Sequence, residues 1–183
     1  TQKLKTGDLQ RKDWDRINMA LDKLSNAHIF IDDTPGISVM EMKNKCRRLK
    51  ADKGLDLIII DYLQLMQYDG RADSRQQEIS ALSRYLKLLA REIDCPVILL
   101  SQLSRAPEQR QDHRPVLSDL RESGSIEQDA DLVMFLYRDD YYNEDSEEGH
   151  GICEVHLAKH RSGPTGKVEL TWVERYTRFS DKA

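Results

Sequence analysis

The stretch GLDLIIIDYLQLM, residues 54–66, places an aspartate, Asp61, directly after four apolar residues. A short apolar run that is rich in isoleucine and entered through a glycine is typical of a buried strand in a parallel sheet, with helices on both faces. Asp61 then lies at the carboxyl end of that strand, which is the edge where open α/β sheets bind ligands. A carboxylate there can hold a metal ion or polarise a water molecule, although a helix or turn cap explains a single aspartate equally well.

Length and composition indicate one globular domain, residues 1–183. A chain of 183 residues, 39% hydrophobic and 33% charged, can bury one sizeable core. No apolar run approaches the roughly 20 residues of a membrane span. The net charge of −4 argues against a wholly basic, nucleic-acid-binding surface but is compatible with a local positively charged patch. Three widely spaced cysteines favour a reducing compartment over a disulfide framework or a zinc site, so we expect a cytoplasmic protein.

The pattern around this strand alternates between helices and strands. Apolar residues at helical spacing predict a helix in DWDRINMALDKLS (13–25), and HIFIDD (28–33) predicts a short strand. CPVILLSQLSR (95–105) predicts a second buried strand that ends in polar residues. This order is typical of an α/β fold with a mostly parallel sheet and right-handed crossovers.

Two capping boxes predict where the intervening helices begin. Ser38 with Glu41 begins a helix whose basic face we interpret as solvated and not as a nucleic-acid patch. Ser74 with Gln77 begins a long helix with an apolar stripe. The stripe consists of Ile79, Leu82, Leu86, Leu89 and Ile93.

The last third of the chain has a different character. A polar segment, residues 104–130, is too long for a passive connection and is therefore expected to be functional or disordered. Strands are predicted at 131–138, 152–160 and 167–173, and the turn signal RSGPTG makes an antiparallel hairpin of the last two. The acidic stretch between the first two of these strands is interpreted as a solvated loop.

Two central strands thus end in polar residues at one edge of the sheet, Asp61 after the first and Ser101 with Gln102 after the second. A carboxylate can hold Mg²⁺ through water, and a neutral amide can bond a phosphate oxygen without adding charge. Together these side chains fit a nucleoside triphosphate site.

Two further clusters leave their interpretation open. The spacing of Lys159 and Arg161 predicts that both project from one face at the end of the hairpin. Two cations placed in this way can bind phosphate oxygens, but a solvated basic turn explains them equally well. A phosphate-binding loop is one interpretation of Arg121, Gly124 and the neighbouring serines. The acidic residues around them favour a polar surface loop instead.

In this order, the motifs resemble the motor domain of bacterial replicative helicases of the DnaB type, which are hexameric ring ATPases with a RecA-like core. The resemblance covers nearly the whole chain and rests on IDDTPGISVMEM, LIIIDYLQLM, RQQEIS, PVILLSQLSR, LSDLRESGSIEQDAD, YRDDYYN and AKHRSGPTG. It implies a C-terminal antiparallel hairpin beside the mostly parallel sheet, and ATP and Mg²⁺ as cofactors. It also implies single-stranded DNA, a homo-hexamer, primase and a helicase loader as partners.

The resemblance assigns a role to each candidate residue. Asp61 looks like the Walker B carboxylate that orders Mg²⁺ and the water near the γ-phosphate. Gln102 looks like the sensor that couples the γ-phosphate to the DNA-binding loops. Arg161 looks like an arginine finger that reaches the next subunit's nucleotide, with Lys159 beside it. The loop that holds the DNA backbone would include Arg121, Glu122 and Gly124.

The sequence departs from the family pattern at two places. His160 stands where the family commonly has glutamine, so no role carries over to this position. No G-x-x-x-x-G-K-[ST] motif occurs in the chain. Because the start, TQKLKTGDLQ, lacks an initiator methionine, we expect a motor domain truncated on its N-terminal side and inactive alone.

Two rival interpretations share these features. A recombinase or phage primase-helicase has the same core, but LSDLRESGSIEQDAD and YRDDYYN favour the bacterial replicative type. A non-catalytic RecA-like module that binds DNA or replication proteins would explain the missing phosphate loop.

Overall fold

The computed structural model describes residues 2–120, 124–143 and 151–182. Within these ranges the chain forms six α-helices and six strands. The helices are α1 (Gln2–Thr6), α2 (Arg11–Ser25), α3 (Val39–Lys53), α4 (Arg75–Ile93), α5 (Ala106–Gln109) and α6 (Gly124–Asp129). The strands are β1 (Ile58–Ile60), β2 (Val97–Leu99), β3 (Leu132–Tyr137), β4 (Ile152–His160), β5 (Gly166–Val173) and β6 (Arg178–Asp181).

The described strands form two sheets. β1 and β2 pair in parallel, with Ile58 opposite Val97 and Ile60 opposite Leu99, as the sequence predicts for the strands that precede Asp61 and Ser101. β3 to β6 form an antiparallel sheet in chain order. The predicted β4–β5 hairpin is therefore present, and it is flanked by β3 on one side and by β6, which the sequence did not indicate, on the other.

The main core lies between the parallel pair and α4. Ser74 caps α4 as predicted, because its hydroxyl accepts the backbone N–H of Gln77 at 3.3 Å. All five residues of the predicted apolar stripe are buried against β1, α3 and Ile126 of α6. α3 begins at its predicted cap in the same way, with the Ser38 hydroxyl accepting the N–H of Glu41 at 3.2 Å.

The basic face of α3 is not simply solvated. Lys43 forms an ion pair with Glu92 of α4 at 2.6 Å, and Arg47 pairs with the same carboxylate. Lys45 binds Asp32 at 2.8 Å. These cations therefore fasten α3 to its neighbours, and the helix is not a free basic surface.

The predicted strand at HIFIDD (28–33) is wrong. The segment has no strand pairing, and the side chains of Ile29 and Ile31 are exposed. An extended segment becomes a stable strand only when a neighbour satisfies its N–H and C=O groups. No described strand pairs with these residues, so their high β-propensity has no effect.

The expectation that helices cover both faces of the parallel sheet is also wrong for the described residues. Ile58 and Ile60 face the core, whereas Leu57 and Ile59 point to the opposite face and are exposed. Ile98 of β2 is exposed on that face as well. α3 and α4 both contribute to the core on one face, which leaves the other face uncovered. No helix in the described ranges is long and apolar enough to cross a bilayer.

Candidate functional site

Asp61 and Gln102 lie at the same edge of the parallel sheet, as predicted. The backbone pairing continues past both strands, because the N–H of Leu100 donates to the carbonyl of Ile60 at 3.0 Å. The N–H of Leu63 in turn donates to the carbonyl of Leu100 at 2.9 Å. Asp61 therefore leaves β1 beside the point where the chain leaves β2 toward Gln102. The peptide bond between Asp61 and Tyr62 is cis.

Gln64 connects the two strand ends, and it was not among the candidates from the sequence. Its side-chain oxygen accepts the N–H of Gln102 at 3.2 Å, and its side-chain nitrogen donates to the hydroxyl of Ser101 at 3.3 Å. Arg75, the first residue of α4, donates to the Gln64 carbonyl at 2.8 Å. Gln64 thus fixes the backbone that carries Gln102. The available signal was a polar residue set between two leucines in an otherwise apolar turn.

The Asp61 carboxylate fits a role as a ligand of a hydrated magnesium ion. It is exposed and forms no hydrogen bond or ion pair with the described residues, so its oxygens are available. The described residues contain no group of three His, Cys, Asp or Glu side chains arranged to hold a metal ion. Mg²⁺ commonly binds through one or two carboxylates, several waters and substrate phosphates, and one carboxylate at the edge of a sheet suits that mode.

Lys159 lies near the end of β4, and Arg161 directly follows this strand. The Lys159 ammonium binds the Glu127 and Gln128 carbonyls at the end of α6, the latter at 3.4 Å. The guanidinium of Arg161 is 3.5 Å from a carboxylate oxygen of Asp131, and 62% of the side chain remains exposed. The two cations therefore contact the end of α6 and the residue that precedes β3.

No hydrogen bond or ion pair among the described residues joins either cation to Asp61 or Gln102. Two separate groups of candidate residues therefore exist, one at the edge of the parallel sheet and one at the end of the hairpin. His160 is the last residue of β4, and one of its ring nitrogens is 3.2 Å from the Pro164 carbonyl oxygen in the following turn.

The predicted DNA-binding residues Arg121 and Glu122 lie outside the described residues, and Gly124 is the first residue of α6. α6 is firmly attached to α4. Ser125 donates to the hydroxyl of Ser80 at 2.9 Å, and Ser83 donates to the carboxylate of Asp129 at 2.8 Å. The helix that follows the predicted DNA-binding loop is thus held to the best-packed helix of the core.

The polar segment that leads from Gln102 to α6 is structured over its described part. The buried carboxylate of Asp119 accepts the N–H of Val116 at 2.7 Å and pairs with Arg110. Arg114 binds both carboxylate oxygens of Glu154 on β4, each at 3.2 Å. The segment is therefore fixed both internally and to the antiparallel sheet.

Glu154 is a second charged residue that was not found from the sequence, and it holds this segment to the sheet. The hydrogen bonds from Arg114 lower its pKa from 4.5 to about 2, against the opposing effect of burial. His156, at 2.6 Å, and Lys167, at 3.1 Å, support the same charge. The available signal was a single carboxylate between apolar residues of a strand, which a folded protein keeps only with partners.

Comparison with known proteins gives a consistent result. The chain matches the family described as "DnaB-like helicase C terminal domain" over residues 1–181. It is 59% identical over 179 residues to the replicative DNA helicase DnaB of Geobacillus stearothermophilus, an alignment that covers 97% of this chain and 39% of that protein. The chain therefore spans about two fifths of the length of this curated relative.

Two solved structures are similar over the whole chain. One, described as an ATPase domain, has a TM-score of 0.93 at 48% identity, with 65% of that chain covered. A DnaB-like replicative helicase, whose structure was described together with its interactions with primase, has a TM-score of 0.92 at 48% identity, with 44% of that chain covered. These similarities confirm the expected RecA-like fold.

Proposed function

Since the chain belongs to the family of DnaB-like helicase C-terminal domains, we propose that it forms part of the motor of a replicative DNA helicase. The whole protein would couple ATP hydrolysis to translocation on single-stranded DNA and to separation of the duplex. The observation that carries this proposal is the position of Asp61 and Gln102 at one carboxyl edge of the parallel sheet. Residues 1–183 would be one incomplete motor domain.

The residues at this edge would act on the nucleotide in different ways. Asp61 would accept hydrogen bonds from waters of a bound Mg²⁺, and its availability supports this role. The Mg²⁺ ion, when bound, would neutralise charge on the phosphates of ATP. Gln102 would donate its amide to a γ-phosphate oxygen, while Gln64 holds the Gln102 backbone in place.

Arg161, with Lys159 beside it, would act on the nucleotide of the next subunit in a homo-hexamer. Its exposed guanidinium has no contact with Asp61 or Gln102 of its own chain within the described residues, which supports an action across a subunit boundary. A guanidinium carries a permanent positive charge and binds two oxygens at once, so it suits the charge that develops during phosphoryl transfer.

Family membership also supports a proposal for the partners of the whole protein. We assign single-stranded DNA to the loop that includes Arg121, Glu122 and Gly124. A primase partner is supported by the related helicase whose structure was described with its interactions with primase. We also propose a helicase loader as a partner and the bacterial cytoplasm as the location.

Replacing Asp61 tests the proposed function. In the full-length protein, Asp61→Asn should lower the kcat of DNA-stimulated ATP hydrolysis by about 100-fold or more, because the waters of the ion lose a charged hydrogen-bond acceptor. Unwinding of a forked duplex should be lost in parallel. Asp56→Asn is the matched control, because this exposed aspartate lies at the opposite end of the same strand. Undiminished hydrolysis by Asp61→Asn would refute the assigned role.

A further inference from the structure

We propose that Asp131 is a positioning residue that holds Arg161 ready for the neighbouring nucleotide, and that Lys87 of α4 orients Asp131 for this task. The inference rests on the proposed role of Arg161. Neither Asp131 nor Lys87 was a candidate from the sequence.

Asp131 contacts Arg161 through both its backbone and its side chain. The Asp131 carbonyl accepts the backbone N–H of Arg161 at 2.9 Å. One carboxylate oxygen is 3.5 Å from a terminal nitrogen of the guanidinium. The first contact fixes where the Arg161 side chain leaves the hairpin, and the second restrains its charged end. Because 3.5 Å is at the outer limit of a hydrogen bond and the side chain is 62% exposed, the guanidinium can still move to a stronger phosphate partner.

Lys87 determines how the carboxylate is oriented. Its ammonium binds the other oxygen of Asp131, while only 19% of its side chain is exposed. Lys87 belongs to α4, whose apolar stripe is buried in the main core, so the ammonium is anchored to a rigid element. The hydrogen bond from Lys87 is the largest cause of the lowered pKa of Asp131, with a smaller effect from Arg161. The carboxylate therefore stays charged near neutral pH.

The arrangement is better suited to placing Arg161 than to stabilising the fold. The Asp131 side chain is 57% exposed, and ion pairs between exposed groups contribute little to stability. An arginine side chain without a partner samples many rotamers, and this freedom is lost when it reaches a phosphate. A carboxylate that restricts the rotamers of Arg161 before the phosphate is reached increases the fraction of time that the guanidinium is placed for reaction.

The test is steady-state ATP hydrolysis by the full-length protein with single-stranded DNA. Asp131→Asn should lower kcat roughly tenfold and leave KM nearly unchanged, since it removes one charged partner of the finger. Lys87→Gln should lower kcat in the same direction by a smaller factor. Arg91→Gln is the matched control, because this exposed residue lies one turn further along α4 and forms no ion pair with the described residues.

A double-mutant comparison separates positioning from a structural role. In an Arg161→Ala background, Asp131→Asn should cause no further loss of kcat, and Asp131→Glu alone should retain most of the activity. An equal loss with and without Arg161 would overturn the proposal. If Arg161→Ala lowers kcat but Asp131→Asn does not, the positioning role alone fails. If Arg161→Ala itself leaves kcat unchanged, the finger role under the proposed function fails first.

Discussion

Glu154 shows how one side chain can hold two parts of the chain together. Arg114 reaches it from the segment that follows Gln102, and His156 and Lys167 reach it from the antiparallel sheet. Arg114 also lies over the ring of Tyr137, with 4.6 Å between guanidinium carbon and ring centroid. Loss of this carboxylate would remove one link between the segment and the sheet and leave the cations Arg114 and Lys167 close together without an anion between them.

The lowered pKa of Glu154 predicts a pH dependence of stability. A glutamate with a pKa of about 2 in the folded chain and 4.5 otherwise stabilises the fold above pH 4.5, and this contribution is lost as the pH falls toward 2. The free energy of unfolding should therefore decrease by about 2 kcal/mol between neutral pH and about pH 3 because of this one group. Urea denaturation of wild type and Glu154→Gln at both pH values measures the difference.

The control for this experiment is Glu174→Gln, because Glu174 is exposed and forms no ion pair with the described residues. It should retain the full pH dependence of the wild type. If Glu154→Gln loses as much stability on acidification as the wild type does, Glu154 is not the responsible group.

The sequence predicts some of these residues and not others for a physical reason. Asp61 and Gln102 were found because each directly follows an apolar strand, and parallel strands bring their carboxyl ends together. Asp131 and Glu154 depend on partners 44 and 40 residues away, Lys87 and Arg114. Such pairs arise only from the packing of elements, which no local pattern specifies.

At the scale of elements, α4 is the part of the fold that the sequence predicts best. Its predicted cap and apolar stripe agree with the structure, because both patterns lie within the sequence of the helix itself and do not depend on distant residues. The strand prediction for HIFIDD was wrong because a strand needs a neighbouring strand, and the sequence of the segment does not show whether one is present. The short helices α5 and α6 gave no periodic signal, since four and six residues are too few to show one.

Two leucines on α4 test the assignment of its buried face. Leu82 is 0% exposed and Leu88 is 49% exposed. Leu82→Ala should lower the free energy of unfolding by about 2–5 kcal/mol, because it removes buried apolar contacts and leaves a cavity. Leu88→Ala should change it by less than about 1 kcal/mol. Equal losses in urea denaturation would mean that the helix is oriented differently in solution.

At the scale of the whole molecule, the described residues expose apolar side chains on faces of both sheets. Ile59 and Ile98 are exposed on one face of the parallel pair, and Met134 and Leu136 are exposed on one face of β3. Exposed apolar patches of this kind commonly mark surfaces that contact other protein segments. The chain spans 39% of the replicative helicase from Geobacillus stearothermophilus, so the relative has ample further sequence for such contacts.

We expect the 183-residue chain alone not to bind nucleotide measurably. It lacks a G-x-x-x-x-G-K-[ST] sequence, and such a loop provides most of the backbone N–H groups and the lysine that hold phosphates. Calorimetric titration with Mg²⁺ and a non-hydrolysable ATP analogue checks this expectation. Saturable binding that is lost on Asp61→Asn would contradict it, since the chain would then contain a phosphate site outside the predicted motifs.

The short helix α6 has a consequence for how neighbouring subunits would communicate. It spans six residues, about 9 Å, between the predicted DNA-binding loop at one end and the carbonyls that bind Lys159 at the other. Because Ser125 and Asp129 bind Ser80 and Ser83 of α4, displacement of the loop would reach the hairpin contact only together with α4. In the proposed hexamer, α4 would therefore have to move whenever DNA binding at the loop affects the arginine that we propose acts on the adjacent subunit's nucleotide.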